Sequence, residues 1–214
     1  MRVGVGQKIG MTQTENKGSF VGVSVIKILP LILSQIKKEK TDGYNAIQVG
    51  VIDKKRRSRL NKPQEKKTKE MKSKPVFFRE FRIINNGDVK EKIGEELKLP
   101  KINPGDKVCV SGMTIGRGFQ GMIKRHNAHR GPETHGSNHH RAPGAIGQCA
   151  FPARVFKGKK MPGRMGSRLA TVKNLEAIEF DEKENYLMLK GSVPGKKGGY
   201  LGFKIISQNR KNEN

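Results

Sequence analysis

The sequence predicts a mainly β protein, in which a small closed barrel carries a small α+β or loop insertion and a long irregular loop. Three observations lead to this fold class. Short runs with a two-residue apolar alternation recur through residues 1–109 and 171–214, and closure into a barrel leaves no sheet edge open. Residues 54–74 are almost entirely polar, and residues 110–170 hold eleven glycines and four prolines, so neither range continues the alternation.

The predicted strands begin close to the amino terminus. Val3 and Val5 open an alternating run that ends near Thr12, and a second run of alternating valines stops at Pro30. Within residues 44–53, three β-branched side chains share one face, as in a strand that packs on one side only. These runs predict the first part of a β body.

The body continues after the basic range 54–74. Residues 76–84 are rich in aromatic and β-branched side chains, Asn86–Asp88 is a turn signal, and an acidic tip at 181–184 joins two apolar segments as a hairpin would. The predicted strands are 3–12, 21–28, 31–36, 44–53, 76–84, 106–111, 172–180, 185–190 and 201–207, with 94–100 as a further strand or a helix end.

Charge is distributed very unevenly along the chain. The formal net charge is +25, of which residues 54–74 hold +9 and residues 110–170 hold +10. Leu60 and Met71 are the only large apolar residues in 54–74. This range therefore has no apolar face for a core and is predicted to be a loop or an exposed helix. A nearly neutral body with two basic surfaces is typical of proteins that meet nucleic acid, and less often anionic membrane.

The central stretch, residues 110–170, is the strongest functional signal. Eleven Lys and Arg face one acid, Glu133, and all five histidines lie between His126 and His140. Its apolar residues are too scattered to offset the entropy of ordering, and its like charges repel one another without an anionic partner. We therefore interpret the central stretch as a ligand for a polyanion, with glycines that allow close backbone approach.

Composition excludes several other classes of protein. Cys109 and Cys149 are 40 residues apart and form no Cys-x-x-Cys pair, which argues against a disulfide framework and favours a reducing compartment. The longest apolar run, 26–36, is too short for a membrane span, and the first residues lack the features of a secretory signal or a transit peptide.

Enzyme and metal sites are weakly supported. Residues 116–121 match G-x-G-x-x-G, but the following segment is too polar for a crossover helix, and Arg141 stands where an acid should bind a ribose. The histidines and Cys149 raise the question of zinc, yet their surroundings are cationic. Ser137 has no acid except Glu133 to orient a neighbouring histidine. We expect no enzyme activity, no cofactor, no metal and no small-molecule substrate.

RNA is the favoured polyanion. A reader of duplex DNA would carry a helix for the major groove, and the central stretch has none. A long irregular Gly-rich segment suits the crevices of folded RNA. At least one of Phe119, Phe151 and Phe156 is expected against a nucleobase or groove wall, although each could instead pack on the body.

Six ordered segments carry a family resemblance. They are GQKIGMT (6–12), DGYNAIQVG (42–50), GRGFQGMIKRH (116–126), THGSNHHRAPG (134–144), VFKGKKMPGRMG (155–166) and KGSVPG (190–195). Through them nearly the whole chain resembles the large-subunit ribosomal protein three family in its bacterial and organellar form.

The resemblance implies a barrel similar to that of translation factors, seated on the outside of the large ribosomal subunit. It implies that the central stretch threads into large-subunit rRNA, with 144–156 innermost and approaching the peptidyl transferase centre. It further implies an early role in assembly and contacts with neighbouring large-subunit proteins. Ala145 departs from a usual Ser, Ala150 stands where some members have a methylated Gln, and 61–75 is unusually Lys-rich.

The expected domains are a β-barrel body and an RNA-penetrating loop that carries the site. The body comprises 1–109 and 171–214, with the basic insertion 54–74, and the RNA-penetrating loop comprises 110–170. The expected rRNA contacts are Lys124, Arg125, His126, Arg130, His135, His140, Arg141, Arg154, Lys157, Lys159, Lys160, Arg164 and Arg168. Close backbone approach is expected at Gly118, Gly121, Gly136, Gly144, Gly147 and Gly163. The expected loop tip near the peptidyl transferase centre is Gln148, Cys149, Ala150 and Phe151.

The expected partners are large-subunit rRNA and neighbouring large-subunit proteins, with no membrane and no DNA. The expected location is the cytoplasmic ribosome of a bacterium, with a plastid or mitochondrial ribosome as the alternative. Two rival functions remain at this point: a free RNA chaperone or nucleoid protein, and an rRNA-modifying protein.

Overall fold

A computed structural model describes residues 3–16, 18–53, 55, 60–68, 71, 73–82, 92–97 and 101–207. The chain divides into two compact units. One consists of Met1–Met113 together with Leu169–Asn214 and is called the body here. The other is Thr114–Arg168, called the central unit.

The protein is mainly β, as predicted. Its strands are β1 (Val3–Asn16), β2 (Ser19–Ile28), β3 (Leu31–Lys37), β4 (Ala46–Val51), β5 (Phe77–Arg82), β6 (Glu96–Leu97), β7 (Lys107–Met113), β8 (Phe119–Gln120), β9 (Gly163–Arg164), β10 (Leu169–Asp181), β11 (Tyr186–Lys190) and β12 (Tyr200–Ser207). Its helices are α1 (Glu39–Asp42), α2 (Lys62–Thr68) and α3 (Met122–His126).

Each predicted strand of the body corresponds to an observed one, with shifted ends. The first strand continues to Asn16 rather than ending near Thr12, because its polar residues still pair with β2, as in the register pair of Glu15 with Phe20. Within 54–74 the described residues include the short helix α2, whose residues 62–66 are exposed. The predicted turn at Asn86–Asp88 and the end of the predicted strand at 83–84 lie outside the described residues.

Six strands of the body pair in a closed ring, in the order β1, β12, β7, β10, β11, β2. Every neighbouring pair is antiparallel. The chain leaves the ring at Met113 and returns at Leu169, and these two residues are direct register partners. The ring therefore holds the two ends of the central unit side by side.

Strand β1 has two different faces because valine and glycine alternate at its start. Val3 and Val5 belong to an apolar cluster shared with β3 and β4. Gly4 and Gly6 face the opposite way, where a Cβ on Gly4 would collide with the ring of Phe203 and one on Gly6 with Ile26. The missing side chains thus make room for two large residues of the ring's own core.

That core gathers side chains from the other five strands of the ring. Phe203, Leu201 and Ile205 come from β12, and the remaining strands add aliphatic residues that are also buried. Burial of such side chains stabilises the fold by about 25 cal/mol for each Å² of apolar surface. The ring is therefore an apolar core of its own, and not only a frame for the second sheet.

A second sheet, in the order β5, β4, β3, β6, completes the body. Two polar contacts join it to the ring. Arg79 on β5 donates from Nη2 to Ser111 Oγ at 3.0 Å, and Tyr200 donates its hydroxyl to Asp53 Oδ2 at 2.8 Å. Burial lowers the pKa of Arg79 below its ordinary value. The predicted α+β insertion is thus a small antiparallel sheet with short helices.

We expect Phe203→Ala to lower the free energy of unfolding by about 3–5 kcal/mol, because it removes a ring that is 1% exposed and leaves a cavity over Gly4. Urea unfolding of the full chain measures this loss. Ile206→Ala on the same strand is the matched control, since Ile206 is 45% exposed and its truncation should cost less than about 1 kcal/mol. Equal losses in both variants would contradict a core inside the ring.

Candidate nucleic-acid interface

The central unit is built on a narrow two-stranded ribbon. Strands β8 and β9 pair Phe119 with Arg164 and Gln120 with Gly163. The ribbon continues through hydrogen bonds from Arg117 N to Met165 O and from Met165 N to Gly118 O, both 2.9 Å. Composition alone did not predict this local order, because two-residue strands are too short to produce an alternating pattern.

Helix α3 follows the ribbon directly and carries three of the predicted RNA contacts, Lys124, Arg125 and His126, of which the last two bond to the protein itself. Arg125 donates from Nη1 to Met161 O at 2.7 Å, and His126 Nε2 lies 3.1 Å from the same oxygen. Gly163 permits this arrangement, because a Cβ there would stand 2.5 Å from Arg125 Nη1. The two side chains thus fasten α3 to the returning chain, and Gly163 accommodates a side chain of the protein itself.

The histidine-rich segment is closed by similar internal contacts. Gly131 N donates to His140 O at 3.0 Å, and His140 Nδ1 lies 2.9 Å from Pro132 O. The acid Glu133 forms an ion pair with Arg130 at 2.7 Å between Oε1 and Nη1. The only acid of the central unit is therefore already neutralised by a neighbouring arginine.

Arg125, His126, Arg130 and His140 thus form contacts within the protein. The other nine of the thirteen predicted contacts do not. Their side chains are exposed, and none forms a hydrogen bond or ion pair with another described residue. They are Lys124, His135, Arg141, Arg154, Lys157, Lys159, Lys160, Arg164 and Arg168. A surface with many cationic donors and no acid to balance them is the electrostatic footprint of a polyanion partner.

The predicted glycines fall into two groups. Gly118, Gly136 and Gly144 have φ between +69° and +71°, a left-handed conformation that other residues rarely adopt. Gly121 and Gly147 have no such φ, and a Cβ on Gly121 would meet nothing within 4 Å. The first group is therefore needed for the backbone path, while the second leaves open backbone for a partner.

The predicted tip, 148–151, is exposed throughout. Phe151 is 90% exposed and Phe119 is 75% exposed, so neither packs against a core of the protein. An aromatic ring in water is unfavourable unless a partner covers it, and nucleobases are suitable partners because every base has a π-face.

Arg117 was missed by the sequence reasoning. Its side chain is exposed and, like the nine side chains above, forms no hydrogen bond or ion pair with another described residue. It stands inside the G-x-G-x-x-G pattern, which drew attention to the glycines. The excess of Lys and Arg over acids in the same stretch was the signal that could have found it.

The described residues assemble neither the metal site nor the Ser137 site considered from the sequence. No group of three or more His, Cys, Asp or Glu side chains among them is placed to hold a metal ion. Ser137 Oγ accepts from the backbone N–H of His139 and not from an imidazole. None of the helices in the described part of the chain combines the length and hydropathy needed for a membrane span.

A mainly β body with an exposed cationic unit is typical of nucleic-acid-binding proteins, and comparison with known proteins identifies the family. Residues 60–184 match the family described as Ribosomal protein L3. The large ribosomal subunit protein uL3 of Desulforapulum autotrophicum is 48% identical over 201 residues, covering 92% of this chain and 95% of that protein. That of Lysinibacillus sphaericus is 45% identical over 206 residues (95% and 97%). The uL3c protein of Phaeodactylum tricornutum is 42% identical over 204 residues (93% and 96%).

The chain belongs to the ribosomal protein L3 family. It is therefore a structural protein of the ribosome and not an enzyme, and both predictions are confirmed. The family resemblance seen in the six segments is confirmed as well.

We expect Gly163→Ala to displace the Arg125 guanidinium and break its bond to Met161 O. Loss of a hydrogen bond to a charged group should raise amide exchange at Arg117 and Met165, on the same ribbon, roughly tenfold or more. Hydrogen exchange followed by NMR measures this rate. Gly121→Ala is the control, because its φ of −68° suits alanine and the space is open. Unchanged exchange in Gly163→Ala would show that Arg125 does not fasten the ribbon.

Proposed function

We propose that this protein binds large-subunit rRNA directly through the central unit, acts early in assembly of the subunit, and braces the RNA near the peptidyl transferase centre with residues 148–151. The observation that carries the proposal is a set of eight exposed Lys and Arg side chains, together with His135, that form no hydrogen bond or ion pair with another described residue. Within the central unit only Glu133 is acidic, and Arg130 already pairs with it.

The expected affinity is mainly electrostatic. Each phosphate neutralised by Lys or Arg releases condensed counterions, which makes binding weaken as salt rises. If about ten contacts form, the log-log slope of affinity against salt is near −9 for a duplex and near −7 for single strands.

RNA is favoured over DNA by the shape of the backbone. In the described residues the longest helix is the seven-residue α2, and α3 in the central unit has only five. Neither offers the recognition helix that would lie in a major groove. Left-handed glycines and exposed phenylalanines suit an irregular RNA surface, where unstacked bases and phosphates occur together. We infer neither DNA nor a membrane as a partner.

The body is proposed to face the surrounding particle. Its ring is proposed to be the barrel that resembles those of translation factors, and its outer surface to contact neighbouring large-subunit proteins. Within the predicted range 110–170, the central unit Thr114–Arg168 is proposed as the loop that enters the RNA, because 110–113 and 169–170 belong to ring strands. The basic insertion 54–74 is proposed as another cationic surface. The relatives favour a bacterial ribosome, and a plastid ribosome is the alternative.

Replacing Lys157, Lys159 and Lys160 together with Gln should reduce the magnitude of the salt slope by roughly 2 to 3, because three phosphate contacts are lost. The measurement is titration of an rRNA transcript at several salt concentrations. Lys101, Lys107 and Lys204 are exposed lysines of the body, and their triple Gln variant is the control of equal charge. If both triple variants lowered the slope equally, nonspecific attraction would replace the proposed site.

Deleting 143–152 should leave the unfolding midpoint of the body unchanged, since every residue removed belongs to the central unit. Ribosomes carrying the deletion should show altered peptidyl transfer or altered response to drugs of that centre. Sedimentation in high salt tests whether the protein remains with the large particle, as a free RNA chaperone or an rRNA-modifying protein would not. Unaltered peptidyl transfer and drug response in particles that retain the variant would place the tip elsewhere.

A further inference from the structure

A second cationic feature lies in the body, in the loop Gly191–Gly199, called the 191–199 loop here. Its backbone is fixed at both ends. Ser24, which is fully buried, donates its hydroxyl to Gly191 O at 2.6 Å, and Lys8 N donates to Gly199 O at 2.9 Å. Near the first end, the side chain of Val193 is buried in the core of the ring. The loop is therefore a rigid part of the body.

The side chain of Lys8, on β1, forms hydrogen bonds with the middle of the 191–199 loop. Its ammonium group donates to Val193 O at 2.9 Å and to Gly195 O at 3.1 Å. A lysine that binds two peptide carbonyls has its position set by them, and its charge stabilises the turn between them. In the described residues no carboxylate forms an ion pair with Lys8. Its positive charge therefore adds to that of the loop.

Two glycines give the loop a path that other residues would not follow. Gly195 has φ +96°, and a Cβ there would stand 2.8 Å from Met113 O. Gly198 has φ +75° in a turn closed by the hydrogen bond from Gly199 N to Lys196 O at 3.0 Å. Left-handed glycine at the third position of such a turn is typical of type II geometry. The turn presents Lys196 and Lys197 outward.

Lys196 and Lys197 are exposed, and neither pairs with an acid in the part of the chain that the structure describes. The ammonium group of Lys8, on β1, bonds to the same loop, so three lysines contribute positive charge there. Flexible lysines lose entropy when they bind, but a rigid backbone reduces that cost because only the side chains remain to be ordered. Such a loop is suited to an anion with several charged oxygens.

The position of the loop on the ring favours RNA phosphate as this anion. At one end of the ring, Met113 pairs with Leu169 and Gly112 pairs with Leu201. At the same end, Gln7 pairs with Tyr200, directly after the 191–199 loop. The body thus presents this loop at the ring end where the chain passes into and out of the central unit.

We propose that the 191–199 loop is a second, preformed phosphate-binding site for the same RNA, in which Lys196 and Lys197 contact backbone phosphates and Lys8 is a positioning residue. This inference rests on the proposed function and adds to it a contact on the body. Lysine binds phosphate as a point charge, so the site contributes affinity and position but no sequence preference.

The test measures the salt dependence of binding to a full-length large-subunit rRNA transcript. The double variant Lys196→Gln, Lys197→Gln should reduce the magnitude of the slope by roughly 1.5 to 2. The matched control is Lys107→Gln with Lys204→Gln, which removes two exposed lysines that pair toward the opposite end of the ring. A slope unchanged in the first variant, or lowered equally in the control, would overturn the inference.

Lys8 is tested separately because its role differs. Lys8→Met should increase amide exchange at Gly198 and Gly199 and weaken rRNA binding, while Lys8→Arg, which keeps charged donors, should restore part of both. The Lys196 and Lys197 double variant should leave the exchange of these amides unchanged. Protected amides in a folded Lys8→Met variant would refute the positioning role, and a thermal melt checks that the variant is folded.

The outcome also distinguishes this site from the central unit. If the Lys157, Lys159 and Lys160 variant weakens binding and the 191–199 loop variant does not, the inference fails and the proposed function stands. If the 191–199 loop variant weakens binding and the Lys157, Lys159 and Lys160 variant does not, the loop site stands and the central unit loses its proposed role. An acidic protein as the partner of the loop would give unchanged rRNA binding, and so would count against the inference.

Discussion

The pairing of Met113 with Leu169 in the ring fixes both ends of the central unit. It closes 55 residues of the central unit at adjacent positions of a hydrogen-bonded ring. The entropic cost of closing a loop grows only with the logarithm of its length, about 0.6 kcal/mol per doubling. A long, strongly cationic segment can therefore be inserted without a large loss of stability, provided that the ring itself is stable.

The ring is stable because its first strand serves two cores. In the segment Val3–Gly6, the valines face one apolar cluster, and the glycines leave space for Phe203 and Ile26 in another. The same end of the chain also supplies Lys8, whose ammonium group fixes the 191–199 loop. Core packing and the presentation of charge are thus linked within six consecutive residues.

Cationic side chains in this protein have two distinct roles. Arg125, His126 and Lys8 bind peptide carbonyl oxygens and hold the backbone in place. Others, such as Lys159 and Lys197, have no described partner and remain available to an anion. Composition cannot separate the two roles, because both kinds of residue add equally to the net charge. Only the contacts show which positive charges are internal.

The amino-acid sequence predicts the strands of the body, the concentration of charge in 110–170 and the family, because period-two alternation, composition and ordered motifs are local properties. It did not determine that β12 lies between β1 and β7, that Gly4 lies under Phe203, or that Arg125 binds Met161 O. These contacts join residues far apart in the chain. They are decided by which strands close the ring and in which register, and the tertiary structure alone contains that information.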